Sequence, residues 1–140
     1  MNDQMTRWLN LARQDLRMAE LALKEGLWNQ VCLHSQQCVE KVLRALLVGR
    51  GNVPPHTHKL ADLIFLLGEE AISGLADDLY SLDRFYIPTH YPDTLPGSLS
   101  ESLPSEEDAR EALVLARRII ISFIDGLPID GPPSLTQEQP

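Results

Sequence analysis

Apolar residues recur every three or four positions along most of this chain, the period of helices that bury one face. Trp8, Ala12, Leu16, Ala19 and Leu23 define the first such face, from Asp3 to about Glu25, and Gly26 ends it. Val31, Ser35, Val39, Val42, Leu46 and Leu47 form a second stripe and predict a helix from about Trp28 to Arg50, closed by the breaker-rich segment GRGNVPP. A connection this short makes the two an antiparallel hairpin. Leu60, Leu63, Ile64 and Leu67 predict a shorter helix, and Leu75, Leu79, Leu82 and Tyr86 another, parted near Ser73 and Gly74.

Residues 88–104 contain Pro88, Pro92, Pro96, Pro104 and Gly97, which predicts an irregular crossing. A last helix is expected from Ser105, with Glu106, Glu107 and Asp108 complementing the dipole of its first turn. Its inner stripe is Ala109, Ala112, Leu113, Ala116, Ile120, Phe123 and Ile124. No strand pattern survives, because the β-branched run Ile119 to Ile121 lies within helical periodicity. The pattern therefore predicts an all-α bundle of four or five helices: residues 1–127 form one domain, and 128–140 a flexible, proline-rich tail.

A chain of 140 residues is long enough to bury a core without covalent staples. No run of about 20 apolar residues that would span a bilayer is present, and the first residues lack an export-signal pattern, so a cytoplasmic location is expected. Cys32 and Cys38, six apart on one helix, point in different directions and read as reduced core thiols. The net charge of -8 excludes a general nucleic-acid coat. That charge is uneven: residues 1–50 carry seven Lys/Arg against five Asp/Glu, whereas 51–140 carry five against fifteen.

The segment RFYIPTHYPD concentrates the chemistry. Arg84 and His90 are separated by five residues where a helix runs into a turn. Arginine forks onto phosphate oxygens, and histidine can both take and give a proton near neutral pH. Glu40, Lys41 and Arg44 are charged positions on an otherwise apolar helix. They fit either a solvated seam with local pairing or the edge of a cleft or dimer face. His56 and His58 form an H-x-H pair without a third ligand at metal spacing, so no metal or cofactor is expected; His58 is expected to cap or precede the helix at Leu60. His34 reads as a boundary residue, and Arg84 would otherwise be a surface cation pairing with Asp83 or another acidic neighbour.

Three motifs in order resemble the HEPN family (higher eukaryotes and prokaryotes nucleotide-binding). Gln36 or Gln37 with Glu40-Lys41-Val42-Leu43-Arg44-Ala45-Leu46-Leu47 is similar to its Q-x-x-E-K-x-L-K-A-L-L helix. Thr57-His58-Lys59-Leu60 matches T-H-x-L, the segment from Tyr86 to Asp93 matches its tyrosine- and proline-bearing turn, and Asp15 with Ala19 fits a D-L-x-x-A opening. The resemblance spans roughly residues 7 to 125. It implies an antiparallel up-and-down four-helix bundle with an extra short helix, usually homodimeric. It also implies a metal-independent endoribonuclease with an R-x(4–6)-H site, acting as the toxin of a pair whose antitoxin is nucleotidyltransferase-like. Arg84 and His90 would then be catalytic, with Glu40, Lys41, Arg44 and Tyr91 lining an RNA or nucleotide cleft. The alternative is a non-catalytic module that binds nucleotide or docks a nucleotidyltransferase partner.

Overall fold

In the computed structural model, which describes residues 3–72, 74–85 and 103–124, two long helices, α1 (Asp3–Lys24) and α2 (Trp28–Gly49), form the expected hairpin. The turn between them is a Schellman closure: Leu27 N–H donates to Ala22 O at 3.0 Å and Gly26 N–H to Leu23 O at 3.2 Å. Gly26 sits at φ 73°, where a side chain would be strained. The same device ends α2, where Asn52 N–H reaches Leu47 O at 3.0 Å and Gly51 N–H reaches Val48 O at 2.9 Å. The helices pack closely because α1 turns Ala12, Ala19 and Ala22 inward, and because Gly49 lacks the Cβ that would lie 2.9 Å from Met5 Sδ.

Among the described residues three further helices join them, α3 (Leu60–Leu67), α4 (Ala76–Asp83) and α5 (Glu106–Ile124), with a 3-10 turn over Glu69–Ile72. α2 is the central element and touches each of the other four described helices. Leu43, Leu47, Leu63, Ile64, Leu79, Leu82 and Ile119 are fully buried, each contributing about 1.5–3 kcal/mol relative to exposure. Arg84 pairs with Glu111 and Asp78 with Arg118, so α4 and α5 run antiparallel. No strand occurs among the described residues, and no described helix is long and apolar enough to cross a membrane.

Two helix starts are capped differently. α5 opens with a reciprocal capping box, in which Asp108 N–H donates to Ser105 Oγ and Ser105 N–H to Asp108 Oδ2, both at 3.1 Å. α3 has no cap from its own flank. Instead the Asp83 carboxylate, delivered from the end of α4, accepts from Leu60 N–H at 2.8 Å and Ala61 N–H at 3.3 Å. His58 precedes α3 but turns its ring to Glu40, so the capping expected of it falls to Asp83.

Candidate functional site

Arg84 follows the last turn of α4, where Leu79 and Leu82 anchor the helix and Phe85 is buried behind it. Its guanidinium lies over the Phe85 ring, 4.4 Å from the centroid, and its side chain remains 49% exposed. Phe85 thus holds the cation in place without hiding it. On the α5 side Arg84 Nη2 meets Glu111 Oε2 at 2.8 Å and Asp108 Oδ1 at 3.7 Å. Asp83, the neighbour a sequence reading would pair with it, is occupied by the start of α3. In solvent such exposed pairs are worth about 0–1 kcal/mol, so an incoming phosphate can replace Glu111 at small cost.

Cys32 lies beneath this group on α2. Burial pushes its thiol up to about 12; Asp108 pushes the same way, Arg84 opposes it, and Glu111 adds a further rise. Cys38 is raised still further, chiefly by burial. Both are free and buried, and neither forms a thiolate nucleophile near neutral pH. His90 and Tyr91 lie outside the described residues, so the geometry here is that of Arg84 and its surroundings.

The charged residues of α2 sit elsewhere. Arg44 Nε donates to Glu40 Oε2 at 3.0 Å, Nη1 to Pro55 O at 2.9 Å and Nη2 to Thr57 O, and its guanidinium lies 5.6 Å from the Trp8 ring centroid. Glu40 Oε1 is 3.2 Å from His58 Nδ1, and Gln36 Nε2 donates to His58 O at 2.9 Å. Both side chains of the Arg44–Glu40 pair are below 10% exposed. These polar atoms clamp the loop between α2 and α3 against the bundle. The two motifs that looked like separate signals are therefore the two halves of one contact.

Lys41 points away from that clamp, across to α1, where its Nζ donates to Asp15 Oδ2 at 2.5 Å. His34 Nδ1 lies 3.0 Å from the other carboxylate oxygen of Asp15. Burial alone would raise the Asp15 carboxyl, but the hydrogen bonds to His34 and Lys41, with their charges, outweigh it and hold the group below its usual range. The sequence singled out Asp15 and Lys41 separately, and His34 as a mere boundary. Their seven-residue spacing on α2, two turns of one face, is the signal that could have joined His34 to Lys41.

The HEPN domain profile matches residues 5–125, all but the first two residues of the five described helices. This chain belongs to the HEPN family. The HEPN chain is 27% identical over 124 residues to MJ1304 of Methanocaldococcus jannaschii, named as a candidate toxin, covering 81% of each protein. The crystal structure of TT1696 from Thermus thermophilus superposes with a TM-score of 0.78 at 33% identity, covering 90% of this chain and 100% of that one. An archaeal HEPN homologue superposes at 0.67 with 28% identity, over 87% of this chain and 95% of its own.

Proposed function

We propose that this HEPN protein is a toxin-like, metal-independent endoribonuclease that works as a homodimer and is held in check by a nucleotidyltransferase-like antitoxin. The observation that carries the reading is Arg84: an exposed guanidinium, braced by Phe85 at the end of α4, six positions before His90. Family membership and the likeness to a protein named as a candidate toxin support it. In this reading His90 removes the proton of a ribose 2′-hydroxyl, the 2′-oxygen attacks phosphorus, and a protonated histidine returns a proton to the departing 5′-oxygen. Arg84 stabilises the charge gathering on the equatorial phosphoryl oxygens. A dimer would supply two copies of each group and so both proton-transfer roles, with Tyr91 beside the scissile phosphate.

RNA cleavage by the purified protein in a metal chelator tests this, together with growth arrest on expression. Both should vanish in His90→Ala and in Arg84→Ala. Cleavage surviving in both variants removes the assignment.

A second reading, a non-catalytic module that binds nucleotide or docks a nucleotidyltransferase partner at the same surface, is favoured by one observation: Glu111 and Asp108 already neutralise Arg84. It predicts a nucleotide-dependent rise in melting temperature, abolished by Arg84→Ala, with RNA left intact.

A further inference from the structure

The outer face of α1 is not the charged surface that a bundle helix usually turns to solvent. Gln4, Arg7, Leu11, Gln14, Met18 and Leu21 are all exposed and are spaced alternately three and four residues apart. That is the a/d repeat of a coiled-coil seam, on the side of the helix opposite its buried residues. Leu11, Met18 and Leu21, each at least 40% exposed, make up its apolar middle. Glu25 is the next position of the repeat; it lies just past the end of α1, but its N–H still reaches Leu21 O at 3.3 Å and keeps it in line. We propose that this stripe pairs antiparallel, across a two-fold axis, with the same stripe of a second copy of the chain.

Charge selects both the partner and the direction. With Arg7 opposite the partner's Glu25, Leu11 falls opposite the partner's Leu21 and Gln14 opposite the partner's Met18, and the two-fold repeats each layer in reverse. An ion pair then closes each end of a mainly apolar seam. A parallel pairing would instead set Arg7 against Arg7 and Glu25 against Glu25. The Arg7 and Glu25 side chains make no hydrogen bond or ion pair among the described residues, so the antiparallel pairing breaks no existing contact. The same register brings the partner's Leu27 to an open groove of about 410 Å³ lined by Gln4, Arg7, Trp8, Leu11, Val48 and Pro54. Leu27 is 50% exposed in the turn that follows α1. An apolar knob at one end of the α1–α2 hairpin and an apolar groove at the other are the two halves of a self-complementary contact, which an unrelated helix would have to supply by chance.

This contact is separate from one that joins two Arg84 sites. α4 packs on α2, α3 and α5, while α1 turns its inner face to α2 and α5, so the bundle stands between the stripe and Arg84. Pairing through α1 leaves both Arg84 groups facing outward and, added to the homodimer of the proposed ribonuclease, builds a dimer of dimers. The seam is about 33 Å long and about 10 Å wide. Such a strip offers less than the ~800 Å² per partner of a standard interface, which places the association in the micromolar range.

Sedimentation equilibrium of the full chain over micromolar concentrations tests the proposal in wild type, Arg7→Glu, Glu25→Arg and the variant that carries both changes. Each single change sets like charges opposite each other at both ends of the seam and should halve the mass of the largest species, while the double variant, with its charges exchanged, should restore it. Leu11→Cys combined with Leu21→Cys should give a covalent dimer on oxidation. Within one chain those positions are roughly 15 Å apart along α1, too far to bond each other, and the native Cys32 and Cys38 are buried. RNA cleavage by Arg7→Glu should match wild type, so failure at this seam and failure of the Arg84 reading are told apart. A wild-type mass that Arg7→Glu leaves unchanged, a double variant that stays at the halved mass, or no covalent dimer overturns the proposal. So does loss of cleavage on halving the mass, which would make α1 pairing the contact that assembles the Arg84 site.

Discussion

Asp15 is the side chain through which pH should act on this fold. Its carboxyl is held below the ordinary value, so the stability it contributes is fully present above about pH 4, the unfolded value, and is lost as pH falls through the lower folded value. Asp15→Asn should therefore cost about 2 kcal/mol at pH 7, with the gap between variant and wild type shrinking as the pH falls below about 4. Urea unfolding of both proteins across that range measures it, and a gap independent of pH would contradict the ion-paired picture. Glu40 obeys a different rule because its partner is buried with it. Glu40→Ala leaves the Arg44 guanidinium enclosed without its carboxylate and should destabilise by about 3–5 kcal/mol, read as a drop in the urea midpoint. The sequence exposed Glu40 and Lys41 as charges on an otherwise apolar helix. It could not show that Glu40 faces the loop and Lys41 faces α1, because each partner lies more than fifteen positions away.

At the level of elements, legibility followed length. α1 and α2 were readable to within a residue of their ends because several turns of periodicity run into Gly26 and into GRG. The α5 start was readable from Ser105 and Asp108, a local pattern. The 3-10 turn at Glu69–Ile72 was not, since four residues show no period. In α4 the sequence placed Tyr86 on the inner stripe, whereas Phe85 is the residue buried after Leu82, and Tyr86 lies outside the described residues. α5 also buries Leu115 and Ile119, which the narrower predicted stripe omitted, because it is covered by α1, α2 and α4 together. The cap of α3 came from Asp83, more than twenty residues downstream, and no local rule reaches that far. Asp83→Ala should cost about 1 kcal/mol and speed amide exchange at Leu60 and Ala61, while leaving exchange in the middle of α1 and α2 tied to global unfolding. Unchanged exchange at those two amides would mean that the cap carries no energy.

Over the whole molecule, the arginine proposed to meet RNA sits in the acidic part of an acidic protein. Residues 51–140 carry five Lys/Arg against fifteen Asp/Glu, and Arg84 itself touches two of those carboxylates. Most nucleic-acid binders lose affinity steeply as salt rises, because they release counterions from many neutralised phosphates. Here few phosphates can be neutralised, and the long-range field is repulsive, screened over about 10 Å at 0.1 M salt. The two effects oppose each other, so RNA cleavage at subsaturating substrate should change little between 20 and 150 mM salt. Glu111→Gln removes one repulsive charge and frees Arg84 Nη2 from its shortest contact, while the exposed site loses little stability. That variant should cut RNA several-fold faster at low salt, with the advantage narrowing as screening grows. Initial rates of both proteins over the salt series decide the matter. A slower Glu111→Gln would mean instead that the carboxylate orients Arg84 for the phosphate and is part of the site.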